Sequence, residues 1–161
     1  MLSLSVTDLK EFTKLLFTEN AFDQFLLHDA SFTTAITTTV SGIYNPEFFE
    51  SETEQPADRC IPWEQFRPTA MNLIKGKKLP VSFRIVLITS RKSTEAMIRK
   101  CGFSGCEVSS LSLNLNYREK ALTLTTGVAY GGFSMDKSLE KYWDESVLHF
   151  LDGKGITYEN G

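Results

Sequence analysis

The sequence predicts an α+β fold, a mostly antiparallel sheet of about six or seven strands with helices packed on one face. Three observations carry that expectation. From Val108 to Phe133 the chain alternates on both sides of a turn: Leu111, Leu113, Leu115 and Tyr117 share one face, and Ser112, Asn114 and Asn116 the other. After Arg118, Glu119 and Lys120, Leu122 and Leu124 alternate with Ala121, Thr123 and Thr125, so the two runs form a hairpin whose apolar face needs cover. Second, Phe25 to Tyr44, FLLHDASFTTAITTTVSGIY, is threonine-rich and β-branched, a composition that suits pleated surface better than helix. Third, segments after Thr7, Trp63, Ser93 and Asp136 carry apolar residues at helical spacing and supply the cover.

The elements follow in order. Leu2, Leu4 and Val6 alternate with serines as a first strand, and Thr7 is the expected cap of a helix striped by Leu9, Phe12, Leu15 and Leu16. Two strands are expected, roughly Phe25 to Phe32 and Ala35 to Gly42. Asn45 then reads as a helix cap with Pro46 at the first helical position, followed by the apolar pair Phe48 and Phe49, and Glu50 to Asp58, ESETEQPAD, reads as an exposed acidic loop. Trp63, Phe66, Ala70, Leu73 and Ile74 are helical in spacing, but Pro68 means that the helix either starts or kinks there. Gly76 is the expected left-handed stop, beside Lys75, Lys77 and Lys78. Pro80 opens VSFRIVLIT, whose near-continuous Ile85 to Ile88 predicts a central strand buried on both faces. Met97, Ile98 and Cys101 stripe a helix stopped by Gly102, and Asp136 caps a last helix carrying Leu139, Trp143, Val147, Phe150 and Leu151.

With 161 residues, 42% of them hydrophobic, the chain suits one core and a single domain spanning 1–161. Its 17 basic and 20 acidic residues give a net charge of −3 without a charged tail, which disfavours general attraction to nucleic acid or anionic membranes. A nucleic-acid accessory role would need the scattered cations gathered on one face. No apolar run spans a bilayer and no leader pattern opens the chain, so the expected compartment is the cytoplasm. Three cysteines, Cys60, Cys101 and Cys106, make no disulfide framework and are read as reduced thiols.

Several chemical motifs fail on context. GFSGC at Gly102 to Cys106 lacks the last glycine of a nucleophile elbow and follows a helix rather than a strand. The three cysteines with His28 and His149 have no short zinc spacing, and GVAYGG at Gly127 to Gly132 matches neither phosphate-binding pattern. Asp144 with Glu145, and Glu47 with Glu50, read as solvated surface charge. No catalytic residue, metal ligand or cofactor is assigned. The remaining candidate is a basic and aromatic cluster of Trp63, Arg67, Lys75, Lys77 and Arg84, suited to a phosphate or carboxylate. Against it stand a solvated helix end at Lys75 to Lys78 and an Arg67 paired with a nearby acid.

Trp63, Arg67 and Pro68, the run LIKGKKLP from Leu73 to Pro80 with Phe83, Thr125-Thr126-Gly127, Asp136 to Leu139 and Trp143-Asp144 together resemble a family of uncharacterised bacterial proteins of about this length, found in anaerobic Firmicutes. The resemblance covers nearly the whole chain and implies a compact bacterial cytoplasmic protein, with no activity or ligand attached. Two functions follow from the residues. The first is a non-catalytic binding or interaction domain that offers a partner its sheet surface, or the edge of the Ala35 to Gly42 strand. The second is a small enzyme or binding protein for an anionic metabolite, using the basic cluster; it requires a pocket where those cations converge.

Overall fold

The computed structural model describes residues 1–161 as an eight-stranded antiparallel sheet with four helices, which is the α+β class expected. The strands are β1 (Ser3–Val6), β2 (Leu26–Thr33), β3 (Thr37–Ser41), β4 (Ile61–Pro62), β5 (Ser82–Ile88), β6 (Val108–Arg118), β7 (Ala121–Tyr130) and β8 (Tyr158–Asn160). Their order is β3-β2-β5-β6-β7-β1-β8, with β4 pairing the start of β2 in line with β3. Two of the eight, β4 and β8, are too short to show alternation, which is why fewer were expected.

The hairpin forms as read. Leu124 faces Leu115, Leu115 faces Ile85 and Ile85 faces Ala30, while Leu4 lies beside Leu124 on the other side; the side chains form one apolar row across five strands. The parallel row on the opposite face is Ser5, Thr123, Asn116, Arg84, Ser31 and Thr39. Strand pleating separates the two sets, and no helix covers the polar one.

The helices α1 (Leu9–Phe17), α2 (Trp63–Ile74), α3 (Arg91–Cys101) and α4 (Ser138–Gly153) cover the leucine face. Phe12, Leu16, Trp63, Ala70, Leu139, Val147 and Leu151 join the strand leucines in a core of 29 buried residues. Both indole nitrogens in this layer are bonded: Trp63 Nε1 donates to the Leu16 carbonyl at 3.0 Å and Trp143 Nε1 to the Ser112 carbonyl at 2.9 Å. Thr126 donates to Asp144 of α4 at 2.5 Å and accepts from the Leu2 amide at 2.8 Å, which ties α4 and β1 to β7.

Three local expectations are corrected. Asp8 rather than Thr7 caps α1, accepting from the Glu11 amide at 3.1 Å, because Thr7 is bonded to Thr157 beside β8. α2 starts at Trp63 and runs through Pro68, which overturns the start at Pro68. Pro68 and Glu64 are both exposed, so the Glu64 carbonyl that lacks an amide partner lies on the water side. The chain leaves α2 extended at Lys75 (φ −68°, ψ 145°) instead of through a left-handed Gly76. β5 is central, and its Ile85 to Ile88 end is buried on both faces as expected: Ile85 and Leu87 join the main core while Ile88 packs with Leu26 and Cys60 on the helix-free face, and only toward the strand's start does Arg84 keep 56% of its side chain exposed there. Gly102 behaves as expected and closes α3 in the left-handed region at φ 72°. Glu50 to Gln55 lie exposed around a short 3-10 turn at Glu52–Glu54.

Trp143 joins α4 to the hairpin by both packing and a hydrogen bond. Trp143→Ala is expected to destabilise the fold by about 3–5 kcal/mol, measured by denaturant unfolding; an unchanged transition would show that the α4–hairpin contact does not hold the two together.

Candidate functional site

The five residues of the expected basic cluster do not converge. Trp63 is fully buried, with its indole nitrogen committed to Leu16. Arg67 pairs with Asp23 at 3.1 Å, in an ion pair that leaves each side chain about one-fifth exposed, at 21% and 17%. Its Nε and the Asp23 Oδ1 are buried without partners, so the guanidinium holds α2 to the segment after α1 rather than facing a ligand. Arg84 points from the helix-free face and pairs with Asp29 at 2.7 Å. Strand alternation decides this: Phe83 and Ile85 occupy the core face, so Arg84 takes the other. Of the cluster, Lys75 lines a cavity, and neighbouring lysines gather with it.

That cavity is an open groove of about 540 Å³ at the end of the sheet where β5 begins and β6 turns into β7. Leu9 and Phe17 of α1 form one wall, Met71 and Ile74 of α2 the other, and Phe83 and Tyr117 the floor. The floor rings stack with centroids 5.1 Å apart, and Phe17 meets Phe83 edge-on at 5.5 Å. Leu79, on the loop that follows α2, is 73% exposed at the margin. Lys10, Lys75, Lys78 and Lys120 surround the opening, no carboxylate lines it, and none of the four lysines takes part in an ion pair. The size falls within the usual range for a small-ligand site, which is mostly apolar with a few placed polar groups.

The backbone at one lysine is unusual. The β6–β7 connection is a two-residue turn with Glu119 at φ 53° and Lys120 at φ 62°, both in the left-handed region. A tight hairpin requires positive φ at both positions and favours Asn-Gly there. A residue with Cβ costs about 1–2 kcal/mol in that conformation. The strain places a cation at the groove's rim where the turn alone would favour glycine.

The other candidates are structural. Phe103 of GFSGC is buried against Tyr130, with ring centroids 5.8 Å apart, and a Cβ at Gly105 would collide with Ser134, so this segment is a packed turn. Cys60 is buried with Leu26 and Ile88, and burial pushes its thiol pKa up. Cys101 and Cys106 are free and half-exposed. His28 bonds Asp29 at 2.6 Å on the helix-free side of β2, and Asp144 is held by Thr126 and the N-terminal amine. The groove had no single sequence signal: its lining comes from α1, α2, the loop after α2, β5, β6 and a turn. LIKGKKLP marked one side of it.

No helix is long and apolar enough to cross a membrane. No curated protein and no solved structure matches the chain. The model of a family of unknown function, DUF5721, matches residues 14–159, a span that includes every strand and helix lining the groove except the first residues of α1, and the chain belongs to that family.

Proposed function

We propose that this protein is a non-catalytic binding protein for a small amphiphilic carboxylate, with an apolar body seated on Phe83 and Tyr117 and its anionic end among the lysines. The observation that carries this reading is the pairing of an apolar groove with four lysines that lack acidic partners. An apolar ligand body would cover Leu79 and the part-exposed Leu9, Met71 and Ile74, gaining about 25 cal/mol for each Å² removed from water. The lysine ammoniums supply charge without the planar fork of arginine, so they favour an anion of either head geometry and leave specificity to the apolar part. The Tyr117 ring is buried and its hydroxyl makes no hydrogen bond within the chain, which leaves a donor beside the floor for the ligand's head. We place it in the bacterial cytoplasm, a reading that the three free thiols support.

Decanoate, decanol and decyltrimethylammonium share a chain and differ in charge, so calorimetric titration with each tests the reading. Decanoate is expected to bind more tightly than decanol, with the cation weakest and the difference shrinking in salt. Combined Lys75→Ala and Lys78→Ala should weaken decanoate about tenfold, the sum of two exposed charge interactions. Arg84→Ala should leave binding unchanged, and Arg67→Ala should lower the melting temperature without moving the affinity of the folded protein. Equal binding of all three probes, or none, would overturn the assignment.

The turn gives an independent test with two readouts. Glu119→Asn combined with Lys120→Gly should raise stability by about 1 kcal/mol or more, because both residues then suit positive φ. The same change should weaken decanoate. A variant that is stabilised but binds as before would show that Lys120 has no part in the site.

A further inference from the structure

The two edges of the sheet are built differently. β8 is three residues long and carries Glu159, whereas β3 presents five uncharged residues, Thr37-Thr38-Thr39-Val40-Ser41. Natural edge strands avoid stray pairing through charge, proline, bulges or shortness. β3 has no charge and no proline, and its ladder with β2 runs without a bulge from Thr37 to Ser41. Beside it, Ile36 at the hairpin tip is 71% exposed.

The hydrogen-bond phase shows which groups are free. Thr34 N–H donates to the Ile36 carbonyl at 2.8 Å and Gly42 N–H to the His28 carbonyl at 2.9 Å. Bonded pairs alternate along an antiparallel ladder, so Thr38 and Val40 direct their backbone groups to β2, and Thr37, Thr39 and Ser41 direct theirs away from the sheet.

We propose that β3 is a strand-pairing edge whose partner is β3 of a second copy of this chain, joined antiparallel about a two-fold axis at Thr39. The register is self-matching. Thr39 meets Thr39, Thr37 meets Ser41 and Thr38 meets Val40, so the outward N–H and carbonyl groups of each copy face those of the other and close about six hydrogen bonds. A two-fold axis places the central residue opposite itself, which a charged residue would oppose; this strand places threonine there, and threonine pairs favourably across strands. Ile36 comes beside Gly42 of the other copy, where no side chain obstructs it. With the axis normal to the sheet, both leucine faces, and the helices on them, stay on the same side. A contact of five residues per copy is smaller than a standard interface, so the dimer is expected to be weak and reversible. The proposal is independent of the groove.

Sedimentation velocity from about 1 μM to 1 mM tests it. The native protein is expected to pass from monomer to dimer within that range, with little dependence on salt. Thr39→Lys sets like charges on the axis, and Thr39→Pro removes an outward N–H without touching the β2 ladder. Each should weaken association at least about tenfold. Thr39→Lys is expected to melt as the native protein does and decides the matter if the proline variant is unstable. In a Cys101→Ser, Cys106→Ser background, Thr39→Cys should give a disulfide-linked dimer on mild oxidation, while Ser41→Cys, displaced from the axis, should not. A monomer at every concentration, or a dimer that Thr39→Lys leaves intact, would overturn the proposal.

Discussion

A sheet whose four helices all lie on one face dictates the rest of this molecule. Leu4, Leu124, Leu115 and Ile85 form an apolar row that is shielded only if something lies across it, and the four helices do so from one side. Their attachment is specific as well as apolar. Trp63 and Trp143 each bury a large ring and spend the ring N–H on a carbonyl, which fixes orientation in a way that leucine packing alone does not. Asp144 extends the same logic, because a carboxylate at the inner side of α4 finds Thr126 on β7 waiting for it.

The groove follows from how that cover ends. α2 stops at Ile74 and leaves extended, carrying Lys75 to Pro80 away from the sheet before β5 begins. Phe83 and Tyr117 lie buried at the bottom, and the apolar surface left open belongs to the part-exposed Leu9, Met71 and Ile74 and to Leu79. The apolar stripe of each helix becomes a wall, and four lysines from three separate places stand around the opening. Such residues snorkel, laying apolar stems along the walls with their charges in water. The strained turn at Glu119 and Lys120 is the feature that helix-end geometry does not explain, since a glycine would hold the same hairpin at lower cost.

What was legible in the sequence was periodic. Alternation over ten residues placed every leucine of the hairpin on the correct face, and threonine-rich β-branching located β2 and β3. Short elements have no period to read, so β4, β8 and the buried pair Ala21 and Phe22 have no signal in the sequence. Capping was misread where tertiary bonding competed: Thr7 has the right hydroxyl, but β8 takes it. The basic cluster shows a different limit. Arg67, Lys75 and Arg84 lie close in sequence, yet helix rotation turns Arg67 to Asp23 and pleating sends Arg84 through the sheet. Conversely, Lys10 and Lys120 stand at one rim although 110 positions separate them, a proximity no local pattern encodes.

The helix-free face constrains how this sheet can be extended. Ser5, Thr123, Asn116, Ser31 and Thr39 line it, with side chains exposed or part-exposed to solvent. Stacking a second layer there would strip that water from many polar groups at once, each needing a replacement partner at exact distance and angle. Pairing at a strand edge makes no such demand, since backbone donors and acceptors come at a fixed spacing that any other strand reproduces. Between the two edges, β8 is shortened and charged while β3 is neither, so a neighbour added in plane meets resistance on one side and a matching ladder on the other. The same one-sidedness that forces helices over the leucines thus leaves the polar face to solvent and directs assembly, where it occurs, along the hydrogen-bonding direction of the sheet.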